Sequence, residues 1–303
     1  MHGLSRSSQV RASPAPLTVT AQGNRFCRQL ARLAVRSLYQ ELTLYPKPGL
    51  VSLVDNGSHA DMNAGTFMRS LFALRHYFYQ IARAGLRGAP FAQLQQLGMQ
   101  AEARMLAATG GINTHRGAIF ALGMLCAASA YCRGQHIGLS PAALRATLLI
   151  QWGDALSHHT SPVAAQHSHG LQVASKHAVG GAREEGALGF PSVFEIALPR
   201  LDATLAQGRS EHEARIDALF ALMAQLSDTN VYHRGGAAGA QLVRQRSAAF
   251  LAAGGTAHAG WLAEAQDCHR AFVQRRLSPG GAADLLAAAC LVRQACMLDE
   301  IAS

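Results

Sequence analysis

The residues able to do chemistry in this chain are gathered in five short polar stretches, most of them rich in glycine, set between apolar runs. One of them, Thr109-Gly110-Gly111-Ile112-Asn113-Thr114-His115-Arg116-Gly117, places His115 and Arg116 where a helix is about to begin. Asn113 or Thr114 would serve as the N-cap, and Ala118-Ile119-Phe120-Ala121-Leu122 continues as helix. Cations in a first helical turn oppose the macrodipole by a few tenths to about 1 kcal/mol. Backbone N–H groups at a helix start, with His and Arg beside them and a flexible glycine approach, suit a phosphate. The same residues would also serve as an ordinary surface loop with Arg116 in water.

The stretch before it runs from Lys47-Pro48-Gly49 to Asp61-Met62 and is long for a connection between helices. Lys47 offers a point charge for phosphate, Asp55 and Asp61 offer carboxylates, and His59 a titratable donor. Ser58 reads as the N-cap of the following helix, and Asp61 in its first turn suits the dipole as well as it suits chemistry. The third stretch, 157–191, holds His158, His159, His167, His169 and His177. His167 and His169 are two apart and would point to different helix faces, and there is no HExxH. His169, followed by Gly170, is the candidate among them. Further on, Gly180-Gly181-Ala182-Arg183-Glu184-Glu185-Gly186 encloses an Arg and two acids in glycine, which argues against an ordinary helix interior. Arg183 could grip phosphate while Glu184 or Glu185 holds a metal or accepts a proton. The fourth stretch, Asp228-Thr229-Asn230-Val231-Tyr232-His233-Arg234-Gly235-Gly236, repeats the cation-plus-glycine theme with Arg234. Asp228 there reads either as a cap or as a catalytic acid. In the fifth, Ser278-Pro279-Gly280-Gly281-Ala282-Ala283-Asp284, a Ser cap, a Pro and an early Asp mark a helix start whose glycines expose backbone N–H groups.

The elements that must position these side chains are helices. Apolar residues recur at helical spacing over 25–45, 61–84, 90–108, 115–133, 140–157, 192–207, 211–227, 236–253, 258–276 and 279–301, and strand-like alternation is almost absent. The pattern predicts an all-α, single compact domain of about ten helices over 25–303, with the site in inter-helix loops and helix N-termini, preceded by a disordered Ser-, Pro- and Arg-rich tail over 1–24. Hydrophobic residues are 49% and charged residues 15% of the 303, so most helices should be buried on more than one side. The net charge of +9 comes almost wholly from Arg, with Lys47 and Lys176 the two lysines. No basic run reaches the density of a nucleic-acid patch, aromatics are 6%, and no uninterrupted apolar run approaches transmembrane length. A basic pocket for small phosphates, with no nucleic-acid or membrane partner, follows. Six cysteines without a CxxC pair or zinc spacing read as free thiols in a reducing cytoplasm.

Taken in order, the stretches KPGLVSLVDNGSHADM, TGGINTHRGAIFALG, Gly-Ala-Arg-Glu-Glu with its later Gly-Phe-Pro, DTNVYHRGG and SPGGAADLLA resemble the triphosphoribosyl-dephospho-CoA synthase family over residues 47–288. The first of them is most similar to members serving malonate decarboxylase rather than citrate lyase. Arg183-Glu184-Glu185-Gly186 departs from the Arg-Gly-Glu-Ala of many members, which leaves open which glutamate corresponds to the family's. The resemblance implies a pentosyltransferase: ATP and 3′-dephospho-CoA give 2′-(5″-triphosphoribosyl)-3′-dephospho-CoA and adenine, the product being the prosthetic-group precursor of an acyl carrier protein. An α-linked product from β-linked ATP implies one in-line displacement with inversion, a base on one face and a leaving-group acid on the other. On this reading Lys47, His115, Arg116, Arg183 and Arg234 hold phosphates, and His59, Asn113, Thr114, His169, Asn230 and Ser278 complete the substrate set. Asp61, Glu184 and Asp228 serve as Mg²⁺ ligands or in acid/base work, Mg²⁺ arriving with ATP. The absence of GxxxxGK[ST] agrees with a reaction that transfers no phosphoryl group. A metal-dependent nucleotide hydrolase shares this inventory and differs in releasing adenine without dephospho-CoA.

Overall fold

The computed structural model describes residues 20–160 and 181–300, in which helices are joined by loops and no strand occurs among the described residues. Eleven α-helices follow one another: α1 (Ala21–Leu42), α2 (Ala64–Leu86), α3 (Phe91–Thr109), α4 (Arg116–Gly134), α5 (Pro141–Thr160), α6 (Ala182–Ala187), α7 (Leu198–Ala206), α8 (Glu211–Gln225), α9 (Thr229–Ala252), α10 (Trp261–Gln274) and α11 (Gly280–Glu300). A π-helical turn, Ser192–Ala197, runs directly into α7. Local sequence accounts for the starts. Thr20 accepts from Gly23 N at the head of α1, and Asn63 with Thr66, then Ser210 with Glu213, form reciprocal capping boxes on α2 and α8.

Three expectations about boundaries are corrected. α1 begins at Ala21, inside the stretch read as a tail, while residues 1–19 lie outside those described. Ser58 caps no helix: its Oγ donates to the Leu277 carbonyl at 2.6 Å, and Asn63 caps α2 instead. Arg183, Glu184 and Glu185 do form helix, one short turn and a half, because Gly181 and Gly189 sit at its margins rather than inside it.

α2 packs against α1, α3 and α4, and α8 against α7 and α9. α11 lies between the two groups, touching α1 and α4 on one side and α8 on the other. One continuous core results, running from Leu30, Leu74, Phe78 and Leu122 through Leu286 and Leu291 to Phe220 and Phe250. α4 and residues 280–298 of α11 are long and apolar enough to cross a membrane by length and composition alone; here both are largely buried in this core, as helices apolar on all sides are. α2 and α4 approach so closely that a Cβ on Gly85 would lie 2.2 Å from the Ala127 carbonyl oxygen. A satellite cluster of Leu42, Val51 and Met62, backed by Phe67 and Ile112, seats the long loop after α1 against the heads of α2 and α4.

Candidate functional site

All five polar stretches meet at one cavity of about 1290 Å³. Its wall takes His59 and Met62 from the first loop, Asn113, Thr114, His115, Arg116 and Gly117 from the head of α4, Arg183 and Glu184 from α6, Asn230, His233 and Arg234 from the first turns of α9, and Ser278, Gly280, Gly281 and Asp284 from the head of α11. Ten of the residues singled out from sequence therefore share one wall. Lys47, Asp61 and Asp228 are not among the residues lining it, and His169 lies outside the described residues.

At the head of α4, His115 is not the cation its sequence context suggested. It is 3% exposed; burial first, and Lys47 second, push its pKa down to about 3, so the ring is neutral. Nδ1 lies 2.6 Å from Ser70 Oγ, Phe67 packs edge-on at 5.0 Å, and Nε2 has no hydrogen-bond partner. His115 can offer substrate a neutral hydrogen bond but no charge. The N-cap is His115, without a side-chain cap, rather than Asn113 or Thr114; Asn113 Oδ1 accepts from Arg116 N at 3.1 Å. Arg116 remains a cation at the rim, more than half exposed, its Nε 2.6 Å from Glu102. Thr114 Oγ1 is buried without a hydrogen-bond partner.

Lys47 is likewise no phosphate handle. It is 1% exposed and paired at 2.5 Å with Glu41 of α1, and burial lowers its pKa against the pull of Glu41. Glu41 lines the cavity where Lys47 does not, so the lysine orients a carboxylate.

His59 links the first loop to two others. Its Nδ1 is 3.1 Å from Arg234 Nη2, and since guanidinium only donates, Nδ1 must accept. The proton then sits on Nε2, which donates to Ser278 Oγ at 2.8 Å. Burial and Arg234 both lower the His59 pKa, which agrees with this neutral tautomer. Arg234 also donates to the Ser58 carbonyl at 3.0 Å. It stands just before the kink in α9, where Gly236 adopts φ 59°. Asp61 stays outside, its side chain 60% exposed and 3.7 Å from His59 Nδ1.

Asp228 braces two helix heads. One carboxylate oxygen accepts from Asn230 N at 2.9 Å, capping α9, and the other from Ala282 N at 3.1 Å in α11. Burial raises its pKa and these N–H groups oppose the rise. Each oxygen thus holds a helix-head N–H, and Asp228 is absent from the lining of the large cavity. The two glutamates of α6 separate by the same criterion. Glu185 accepts from Ser192 Oγ at 2.6 Å and Ser192 N at 3.2 Å, its pKa raised by burial, whereas Glu184 faces the cavity. Asp61, Glu184 and Asp228 are not brought together, and among the described residues no three His, Cys, Asp or Glu side chains form a metal-holding group.

Sequence reasoning missed three cavity-lining carboxyls, Glu41, Glu102 and Asp284. Glu41 sits on an amphipathic helix where its charge reads as surface; the signal was Lys47 six positions on, a partner only a turn could bring back. Asp284 reads as an acid in the opening turns of a helix, yet it is followed by Leu285, Leu286 and Ala287 in a helix with little polar surface. It accepts from Ala118 N, and its pKa stands well above the usual carboxylate range through burial, then Glu41, then Asp228.

Residues 27–301 match the family model described as ATP:dephospho-CoA triphosphoribosyl transferase. A protein of Pseudomonas putida named "Probable 2-(5''-triphosphoribosyl)-3'-dephosphocoenzyme-A synthase" is 43% identical over 267 residues, 86% of this chain and 92% of its own length. Proteins of the same name from Acinetobacter calcoaceticus and Pseudomonas syringae pv. tomato are 39% and 40% identical, covering 85% and 90% of this chain and 88% and 92% of their own lengths. No solved structure matches the chain. A helical transferase with its polar loops gathered on one cavity is the class defined. The chain belongs to the ATP:dephospho-CoA triphosphoribosyl transferase family.

Proposed function

We propose that this enzyme transfers the triphosphoribosyl group of ATP to the 2′-hydroxyl of 3′-dephospho-CoA, releasing adenine, and that the product is the prosthetic-group precursor of an acyl carrier protein of the malonate decarboxylase type. The observation that carries the reading is the convergence of five separated stretches on one cavity of about 1290 Å³, above the roughly 300–1,000 Å³ common for a single small ligand. Two nucleotides must be held at once. Arg116, Arg183 and Arg234 give the wall three cations, and Arg suits phosphate through its planar fork. The triphosphate stays on the product, so its binding energy is available to position the ribose for displacement. Phe91, Leu94 and Met99 of α3 give the cavity an apolar side suited to the pantetheine arm.

Mg²⁺ takes one or two carboxylates and completes its shell with phosphate oxygens and water. Glu184 fits that demand: it is in the wall and, unlike Glu185, spends no oxygen on Ser192. When bound there with ATP, the ion would neutralise triphosphate charge. The chain's own residues bind and orient: the arginines hold phosphate, Ser278, which accepts from His59, keeps its hydroxyl hydrogen free to donate, and the neutral His115 offers a hydrogen bond without drawing the leaving base toward a cation. The six free cysteines, five of them buried, support a reducing cytoplasmic setting.

Incubation with ATP, dephospho-CoA and Mg²⁺, followed by mass spectrometry, tests the proposal. Adenine and the triphosphoribosyl adduct of dephospho-CoA are the expected products; folded protein that yields neither overturns it.

A further inference from the structure

Displacing adenine from ribose needs a proton for the departing purine, and the carboxyls marked from sequence do not supply it. Asp228 is spent on two backbone N–H groups, Asp61 lies off the wall, and Glu185 is held by Ser192. Of the other carboxyls in the wall, Glu41 is paired with Lys47, Glu102 with Arg116, and Glu184 of α6 is the residue proposed above to hold Mg²⁺ with ATP. Asp284 differs: it reaches the cavity from just beyond the first turn of α11 without a cation partner among the described residues. Its carboxyl lies flat on the head of α4, so close that a Cβ on Gly117 would be 2.2 Å from Oδ2. Glycine at 117 is therefore what gives this group its place.

We propose that Asp284 is the acid that protonates the leaving purine, a catalytic role resting on the transfer reaction proposed above. The 2′-hydroxyl oxygen of dephospho-CoA forms its bond to ribose C1 while the C1–N9 bond breaks. The electron pair of that bond goes to the purine, which takes the Asp284 proton. The hydroxyl proton leaves to water, and Asp284 regains one from solvent. The groups around Asp284 favour its proton-bearing form. Glu41 faces it from α1, its carboxylate held by Lys47, and Asp228 from the head of α9; both raise its pKa beyond the effect of burial. Glu185 of α6 faces it across a second, small pocket lined also by Gly117 and Asp228. From α4 come the Ala118 N–H and, in the first residues, the neutral His115 and the Glu102-paired Arg116.

Steady-state kinetics and thermal unfolding of D284N across pH 6–9 test the role. Loss of a general acid costs about 10²–10⁴-fold, so kcat should fall in that range while KM for ATP moves by less than about three-fold. Wild-type kcat should decline on the alkaline side, as the acid ionises, and the residual activity of D284N should lack that decline. D284N should also melt above wild type, by a margin that widens with pH, because a buried ionising carboxyl costs stability as pH rises through its raised pKa. G117A, which drives a methyl into the carboxyl, should reproduce the loss of kcat should D284N not fold. A D284N kcat within about three-fold of wild type, or an alkaline limb that survives the substitution, overturns the assignment. Wild-type enzyme that releases no adenine overturns the reaction itself and is thereby told apart.

Discussion

Arg116 and Glu102 form a pair open enough to water that it adds at most about 1 kcal/mol to stability. A triphosphate is the stronger partner for the same guanidinium. R116A should therefore lower kcat/KM for ATP by about ten-fold or more, roughly 1.4 kcal/mol of lost transition-state binding, with a melting temperature within a few degrees of wild type. Near-normal kinetics would remove Arg116 from the phosphate set. His115 predicts a different measurement. Its pKa falls from 6.5 to about 3 on folding, so below pH 6.5 the unfolded chain binds a proton that the native one refuses. Its stabilising contribution is whole above pH 6.5 and is lost as pH falls toward 3. At pH 5 the loss is about 2 kcal/mol, at 1.36 kcal/mol per unit. Urea unfolding at pH 7 and pH 5 should show H115N losing less stability than wild type over that interval; an equal loss would contradict the buried neutral ring. The sequence showed both residues but not this difference between them. Residue type and helix position are legible in a chain, whereas burial among Phe67, Ser70 and Met105 is set by the fold.

Among the elements, the ten periodic segments were readable because each carries an apolar face or is apolar all round, and their ends fall where Gly, Pro, Asn or Ser punctuates the pattern. One element and one helix start were not readable. α6 is too short for periodicity to register, and its glycines read as loop. α9 begins seven residues before its apolar pattern does, because Asp228 caps it and the Gly236 kink hides the continuity. The same Asp228 ties α9 to α11, so D228A should remove a cap and a cross-brace together. A cap alone is worth about 0.5–2 kcal/mol; chemical denaturation should place D228A at or above the upper end of that range, with D228N recovering part through its remaining acceptor oxygen. A variant with wild-type stability and no activity would instead make Asp228 catalytic.

For the molecule as a whole, fold class followed from composition and pattern, whereas the meeting of residues 41, 59, 116, 184, 234 and 284 did not. No spacing in the chain says that α11 will lie between two helical groups with its head against those of α4 and α9. Glu41 and Asp284 were missed for this reason: each becomes a wall residue only through long-range packing. The excess of nine positive charges also belongs to this scale. Substrates carrying several negative charges should feel it, and because the Debye length shrinks to about 3 Å at 1 M salt, KM for ATP should climb several-fold between low and high KCl with kcat little changed. On the function proposed here, the cavity holds a triphosphoribosyl donor and its acceptor together, so that the purine leaves only when the acceptor hydroxyl arrives. Adenine release from ATP, measured with and without dephospho-CoA, tests it directly. Release should depend on dephospho-CoA and match adduct formed mole for mole; adenine released at the same rate without the acceptor would make the enzyme a hydrolase instead.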